Sequence, residues 1–328
     1  VDFLLNIIKQ NEPRFHSKAD KIQFFLDAYS SKDRLKKVQG EEDAALKKPS
    51  VLEVGTFRQF GYLLKRSATE TFRNRTVMKS KLAVALILGG VYSILYAGLD
   101  FSRKGVQNRD GFLFIAMLTM LSSGILQVVL TFPLQRAVFL KEQAVCMYGS
   151  FVYFWAKTIP EIFMEALSPT VFCFLTYWIL GLNTDSYEKP LIFWGICVLN
   201  HMGGGSVGFL LGSALSNIQG ISEFLNVVLM PCVTYAGFMA NFDSIPIPFR
   251  YLTYANPFRY GFSALVLNEY EGLSFECEDD EIDPCSPVSD LSVEQTLWQN
   301  ILILLAHVLA MRVTASILLK LKVKSQLL

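Results

Sequence analysis

Five or six long apolar runs, separated by short polar connections, constrain the fold of this chain more than any other feature. Residues 111–135 and 190–222 contain no Asp, Glu, Lys or Arg. An uncharged run of about 20 residues has the length needed to cross a bilayer, and an ordinary core helix rarely needs so many. The sequence therefore predicts an all-α, multi-pass membrane protein.

The polar breaks divide the apolar part of the chain into six predicted transmembrane helices. These spans are 82–99, 112–133, 151–182, 191–215, 224–242 and 298–319. Residues 100–110 are expected to form a short polar connection, and 134–150 a separate short amphipathic helix outside the bilayer. The external loop 243–297 contains an apolar helical patch at 258–267 that is too short to cross, so a re-entrant or interfacial helix is expected there.

The N-terminal part differs in composition from the rest. Residues 1–52 carry dense charge of both signs, which is typical of a solvated cytosolic linker, whereas 53–328 form the predicted membrane domain. The chain begins at Val1 inside an apolar segment without an initiator Met, so we expect a fragment of something longer. A basic amphipathic helix is predicted to lie in the membrane–water interface or to pack on a neighbouring soluble domain. Its apolar positions are Phe57, Gly61, Leu64, Ala68 and Phe72.

The charge distribution predicts an orientation. Basic residues precede the first span and follow the second and the sixth, and with six spans all three groups fall on one side. Because basic flanks favour the cytosol, both termini are expected to be cytosolic, in the plasma membrane or an organelle membrane. The formal net charge of +1 favours no nucleic-acid partner.

The chain has six cysteines and three histidines, and four of the cysteines lie in or beside apolar spans, where a free Cys is usually a small apolar side chain. Cys277 and Cys285 share one acidic loop, and if that loop is external a disulfide is favoured over two free thiols. His201 and His307 are isolated in two different spans and are expected to be hydrogen-bonded helix contacts, so no metal site is expected.

Polar and small residues inside the spans indicate helix contacts. Lys157, Glu161 and Glu165 are spaced by four and therefore share one helix face. Charges at that depth are either a structural ion pair or a functional group such as a proton relay, and the sequence leaves both open. Three glycines at the same spacing predict close helix packing. They are Gly204, Gly208 and Gly212.

Four segments, in order along the chain, resemble the ABC-G half-transporters, whose membrane part is an ABC-2 type transmembrane domain. They are Phe72-Arg73-Asn74-Arg75, Gly105-Val106-Gln107-Asn108-Arg109-Asp110-Gly111, Phe132-Pro133-Leu134-Gln135-Arg136 with Glu142, and Asn256-Pro257-Phe258-Arg259-Tyr260. Gln135 stands where the family usually has Glu, which puts in doubt any salt bridge made there. Asp2-Phe3-Leu4-Leu5 also looks like the end of the family's nucleotide-binding domain.

The resemblance implies an exporter of lipid, sterol or amphipathic small molecules that works by alternating access. Two halves would pair as a homo- or heterodimer within membrane lipid, each with a nucleotide-binding domain in cis that binds ATP and Mg. This chain contains no Walker motif and no ABC signature. We therefore expect no cofactor and no catalysis in this chain alone.

The resemblance also implies roles for particular residues, although each one could instead be a plain packing side chain. The substrate cavity on the second span would include Met120, Leu121 and Ser122. Gln127 would contact substrate or bridge helices. The extracellular gate would be Gly237, Phe238 and Met239. Coupling to the ATPase domain would run through Arg136, Lys141 and Glu142.

Two other functions stay open. An ABC-2 permease subunit that recruits a separate ATPase would share the same motifs. A passive scramblase or channel would need no ATP, but it leaves the four motifs unexplained.

Overall fold

The computed structural model describes residues 55–99, 103–144, 148–215, 218–236, 238, 247–254, 256–273 and 295–327. The regular elements within these ranges are all helical, which confirms the predicted all-α membrane fold. They belong to one compact unit, Val54–Leu328. What residues 1–52 form stays a prediction, because they lie outside the described part.

In chain order, the described helices are α1 (Thr56–Arg73), α2 (Arg75–Leu95), α3 (Arg103–Ala144), α4 (Ser150–Leu180), α5 (Glu188–Ala214), α6 (Ile218–Thr234), α7 (Ile247–Tyr254), α8 (Pro257–Tyr270) and α9 (Leu297–Leu327).

Five of these helices are long and apolar enough to cross a membrane. The candidate spans are Arg75–Leu95, Lys104–Pro133, Ser150–Leu180, Glu188–Ala214 and Leu297–Lys322. Helix α6 occupies part of the predicted fifth span, but it has 17 residues and is not among the five. The multi-pass character is therefore supported, whereas the count of six spans stays a prediction.

Helix α3 corrects two expectations. Residues 103–110, predicted as part of a polar connection, form its first turns, because the Arg109 side chain is buried against another helix instead of lying in solvent. The predicted separate helix at 134–150 is also wrong, since α3 continues through Pro133 to Ala144. Phe139 explains the continuation: it is fully buried and stacks on Tyr153 of α4 with ring centroids 4.4 Å apart.

Helix α2 begins earlier and ends earlier than the predicted span 82–99. Its N-terminus is capped by Asn74, whose side chain accepts a hydrogen bond from the backbone N–H of Val77 at 3.3 Å. After its last residue the chain turns at Gly98, which has a φ of +80° that favours glycine.

Helices α3 and α5 pack backbone to backbone through the predicted glycine stripe. A Cβ on Gly204 would lie 2.2 Å from the carbonyl oxygen of Leu121, and one on Gly212 would lie 2.7 Å from the Phe132 ring. Gly124 on α3 adds a contact that was not predicted, since its Cβ would lie 2.1 Å from the carbonyl oxygen of His201. Glycine on both helices thus permits a close approach.

Helix α8 is buried along almost its whole length between α3, α5 and α9. It covers the helical patch predicted at 258–267. Asn256 caps it by accepting a hydrogen bond from the backbone N–H of Phe258 at 3.1 Å, and Pro257 follows as its first residue. At 14 residues it is too short to cross a bilayer.

Helix α1 packs on α4, but with a face that differs from the predicted stripe. Ser67 is buried and Leu63 and Leu64 are half-buried, whereas Phe57 and Phe72 at the ends of the stripe are exposed. The predicted helix is present, but its packed side chains lie near the middle of the helix, and the two ends of the predicted stripe are exposed.

Candidate functional site

The predicted gate is only partly described. Gly237 and Met239 lie outside the described residues, while Phe238 is placed. Its ring stacks on Phe114 of α3 with centroids 4.7 Å apart, and Phe258 and Phe262 of α8 surround the same ring of Phe114 at 5.5 and 5.9 Å. Phe238 therefore lies in an aromatic cluster that joins α3 to α8; its role as a gate stays a prediction.

The four predicted cavity residues of α3 divide into two pairs. Met120 and Leu121 are buried inside the chain, whereas Ser122 and Gln127 are partly exposed. The more exposed side of the same helix carries Leu126, which is 49% exposed, and Leu130, which is 59% exposed. No described contact tests whether any of these residues meets a substrate.

Helix α6 also has an exposed apolar face. Its exposed large side chains are Phe224, Val227 and Met230. Like the exposed side of α3, which α6 contacts, this face is not covered by the described part of the chain.

Of the predicted coupling residues, Glu142 at the end of α3 contacts both α1 and the segment just before α4. It accepts a hydrogen bond from the Arg66 guanidinium of α1 at 2.8 Å and another from the Tyr148 hydroxyl. The bond from Arg66 lowers the pKa of Glu142, and the same contact raises the pKa of Arg66. The neighbouring Lys141 is exposed. Glu142 thus ties α1 to the end of α3, and coupling to an ATPase domain stays a prediction.

Arg136, the third predicted coupling residue, is buried against the C-terminal end of α5. Its Nη1 donates hydrogen bonds to the carbonyl oxygens of Gly212, at 3.3 Å, and Leu215, at 3.0 Å. Lys322 of α9 donates to the carbonyl of Ala214 in the same helix end. Two cations therefore neutralise the negative end of the α5 dipole.

The three predicted intramembrane charges do not form a single group. Lys157 and Glu161 lie 3.8 Å apart, whereas Glu165 pairs with Arg312 of α9 at 2.5 Å. Arg312 Nε also donates to the Ser206 hydroxyl of α5 at 3.1 Å. Arg312 was missed from the sequence, although a lone charge inside the apolar run 298–319 was a usable signal. Whether these charges are structural or functional stays open.

A second buried ion pair, also missed from the sequence, joins Arg109 of α3 to Glu269 of α8. The Glu269 carboxylate accepts hydrogen bonds from the backbone N–H of Asn183 at 3.2 and 3.1 Å. Next to it, the Tyr270 hydroxyl donates to Asp110 at 2.5 Å. No local signal indicated this pair, because Arg109 lies among other charged residues of a polar segment and Glu269 is 160 residues away.

The remaining predictions concern a disulfide and the absence of a metal site. Cys277 and Cys285 lie outside the described residues, so the disulfide stays a prediction. Within the described ranges no group of three or more His, Cys, Asp or Glu side chains is placed to hold a metal ion.

Comparison with known proteins shows to which family the chain belongs. The model of the ABC-2 type transporter family matches residues 58–270, which is well over half of the chain. ABC transporter G family member 1 of Dictyostelium discoideum is 25% identical over 82% of this chain and 35% of its own length. ABC transporter G family member 8 of the same organism is 29% identical over 69% and 36% of the two chains. Protein white of Drosophila melanogaster is 25% identical over 65% and 31%.

The chain spans only about a third of the length of these relatives. The family match runs from near the start of α1 to the end of α8, so it includes the glycine-packed core, the aromatic cluster and the Arg109–Glu269 pair. Of the other buried pair it includes Glu165, whereas Arg312 lies beyond it. The chain belongs to the ABC-2 type transporter family, and the resemblance to ABC-G half-transporters in its sequence is confirmed.

Proposed function

We propose that this chain is the membrane half of an ATP-driven exporter that moves lipid, sterol or other amphipathic small molecules by alternating access. It would act as a dimer with a second ABC-G half. ATP and Mg would bind to a nucleotide-binding domain in cis, and this chain would supply the path across the membrane.

The observation that carries this proposal is the exposed apolar surface shared by α3 and α6. Leu126 and Leu130 of α3, and Val227 and Met230 of α6, are each about half exposed or more. Since the core of the chain is made elsewhere, against α5 and α8, this surface is available for a second half and for an apolar substrate between the halves. Its neutral side chains suit a lipid-like substrate better than an ion or a sugar.

A transporter also needs a rigid path from its ATPase domain to the substrate path. Helix α3 extends without interruption from Arg103 to Ala144. Its end is held by the pair between Glu142 and Arg66, and Phe114 on the same helix stacks on Phe238. A displacement applied near Glu142 would thus reach the aromatic cluster through one helix.

The test is vanadate-sensitive ATPase activity of the full polypeptide in proteoliposomes, measured while sterols, phospholipids and amphipathic drugs are added in turn. We expect one class to stimulate ATP hydrolysis and to be exported. Phe238→Ala should reduce that stimulation roughly tenfold, because a stacked aromatic contact and its buried area are lost. Phe174→Ala is the matched control, since Phe174 is 75% exposed on α4, far along the chain from the cluster.

Equal effects of the two Phe→Ala variants would contradict the role of the aromatic cluster. Export that depends on a separately added ATPase subunit would favour the permease function. Lipid movement at the same rate with and without ATP would favour a passive scramblase and overturn the exporter proposal.

A further inference from the structure

A cleft with a mixed lining lies between α1, the end of α3 and the start of α4, apart from the exposed apolar sides of α3 and α6. Its volume is about 240 Å³, somewhat below the range of about 300–1,000 Å³ that is usual for pockets holding drug-sized ligands. Its polar lining consists of Arg66, Ser67, Glu70, Gln135, Glu142 and Lys157. Leu63, Val138, Tyr153 and Ala156 make up the rest of the lining. A cleft of this size, with charged and apolar side chains together, suits the headgroup end of an amphipathic molecule better than a whole lipid.

Two residues of the lining each carry a buried polar atom that lacks a hydrogen-bond partner among the described residues, and a turn of the side chain would bring that atom to the cleft. These atoms are the hydroxyl oxygen of Ser67, a residue that is only 7% exposed, and the Oε1 atom of Gln135. An unsatisfied buried polar atom costs about 1–3 kcal/mol, so a ligand that satisfies both atoms would be stabilised here. Gln135 Oε1 can only accept, and it therefore requires a ligand with an N–H or O–H donor.

The lining carries charges of both signs. Arg66 and Lys157 are cationic, and Glu70 and Glu142 are anionic. The Arg66 guanidinium is already paired with Glu142, and Lys157 lies 3.8 Å from Glu161 outside the lining. With these two pairs formed, Glu70 is the lining charge to which no described ion pair is assigned, so the cation of a ligand is favoured near it, and the anion of a zwitterion can lie near Lys157, whose contact with Glu161 is long.

The position of the cleft along the helices indicates where such a ligand comes from. The apolar segment of α3 ends at Pro133 and that of α4 begins at Ser150. Gln135 and Val138 follow the first limit closely, and Tyr153 follows the second. The cleft therefore lies at the depth where the helices leave the hydrocarbon, which is the level of lipid headgroups and of interfacial tyrosines. Val138, which is 51% exposed, gives its border an apolar side.

We propose that this cleft between α1, α3 and α4 binds the headgroup of a zwitterionic phospholipid with a primary amine, phosphatidylethanolamine. The ammonium donates to Gln135 Oε1 and lies near Glu70, and the phosphate accepts from Ser67 and lies near Lys157. A quaternary choline has no N–H to donate, so phosphatidylcholine lacks the bond to Gln135. The bound lipid would fasten α1 to the membrane domain, in a role separate from any transported substrate.

The experiment is native mass spectrometry of the full polypeptide in detergent, titrated separately with phosphatidylethanolamine, phosphatidylcholine and phosphatidylglycerol of the same chain length. We expect phosphatidylethanolamine to bind roughly tenfold more tightly than the other two, because phosphatidylcholine has no N–H for Gln135 and phosphatidylglycerol has no cation for Glu70. Gln135→Leu should abolish that preference. Gln135→Glu, which keeps an acceptor of the same size, should preserve or increase it.

Thr69→Ala is the matched control on α1, because its hydroxyl is satisfied by the carbonyl of Lys65 at 2.8 Å within the same helix. It should leave the lipid preference unchanged. Loss of the preference in Gln135→Leu supports the proposal only when this variant elutes and unfolds like the wild type.

Three results would overturn the proposal. One is equal binding of the three lipids, which would indicate ordinary annular lipid. Another is an unchanged preference in Gln135→Leu that still folds, as judged by size-exclusion chromatography and thermal unfolding. The third is tight binding of soluble glycerophosphoethanolamine to the same level as the lipid, which would assign the cleft to a soluble metabolite.

Discussion

Two buried Arg–Glu pairs in this chain have the same composition and different surroundings. Arg109–Glu269 joins α3 to α8, and Arg312–Glu165 joins α9 to α4. Each of these side chains is at most 2% exposed. The first carboxylate receives additional hydrogen bonds from the backbone of Asn183, whereas Oε1 of Glu165 and Nη1 of Arg312 have no partner among the described residues.

The Arg109–Glu269 pair is therefore held by additional hydrogen bonds, whereas the Arg312–Glu165 pair has hydrogen-bonding atoms that are not used by any described residue. Burying two charges is costly, and the cost is offset only when the remaining donors and acceptors are also satisfied. The surroundings of Glu269 meet that condition more fully. Beside Glu165, Gly205 leaves room at the unpartnered oxygen, since a Cβ there would lie 2.6 Å from Oε1. Rearrangement on transport is therefore easier to accommodate at Glu165 than at Glu269.

The largest expected effect is that of Glu269→Ala. The substitution leaves the Arg109 charge buried without its carboxylate and removes the acceptor of the Asn183 N–H, so we expect a loss of about 3–5 kcal/mol. Thermal unfolding in one detergent measures the change. The double variant Arg109→Met/Glu269→Met should recover part of it, and no recovery would mean that the charge pair is not the cause.

Glu165→Ala should destabilise less, by about 3 kcal/mol. Arg312 keeps the Ser206 hydroxyl as an acceptor and lies 6.0 Å from the centre of the Phe209 ring, so its charge is not left alone. The same unfolding assay compares the two variants directly. If Glu165→Ala is the more harmful, the contrast between the two pairs is wrong.

Substitution of two neighbouring glycines measures how much space there is beside the Glu165 side chain. Gly204→Ala forces a Cβ against the backbone carbonyl of Leu121 at 2.2 Å, and we expect a loss of about 1–3 kcal/mol. Gly205→Ala meets only the end of the Glu165 side chain, so the loss should be below about 1 kcal/mol. Equal losses would show that Glu165 is as rigidly held as Glu269. Gly90→Ala, with no neighbour within 4 Å, is the control.

The smallest effect belongs to the exposed pair Arg66–Glu142, which lies beyond the apolar part of α3. Because the hydrogen bond from Arg66 lowers the pKa of Glu142, its contribution is present above the usual Glu pKa of about 4.3 and is lost as pH falls through the lower folded value. We expect about 0.2–1 kcal/mol. Unfolding of wild type and Glu142→Gln at pH 7 and pH 3 checks this. The difference should be smaller at pH 3 than at pH 7, and an equal difference at both pH values would contradict the ionic origin.

Much of the fold could be predicted from local sequence signals. Uncharged runs indicated the spanning helices, and the Gly204–Gly212 spacing indicated the face on which α5 packs. The errors occurred where local signals compete. Pro133 and the polar residues around it suggested a break, but burial of Phe139 on α4 keeps α3 continuous to Ala144. Arg109 was predicted to lie in a polar connection. Its partner, Glu269, is distant in sequence, so nothing near Arg109 indicated that it would be buried.

The site was less predictable than the fold. The spacing of Lys157, Glu161 and Glu165 grouped these three charges, and the structure pairs the last of them with Arg312 instead. Similarly, Met120, Leu121 and Ser122 are adjacent in sequence, but a helix turns by about 100° per residue and so separates them between the core and the exposed side.

Hydrophobic length and local motifs depend on neighbouring residues alone, and for that reason the amino-acid order sufficed to predict a helical, multi-pass chain of the ABC-2 transporter type. It did not predict which charges pair, which side of α3 stays exposed or where a polar cleft remains beside α1. Those features depend on the relative rotation of packed helices, and that rotation is fixed by contacts between residues far apart in the chain.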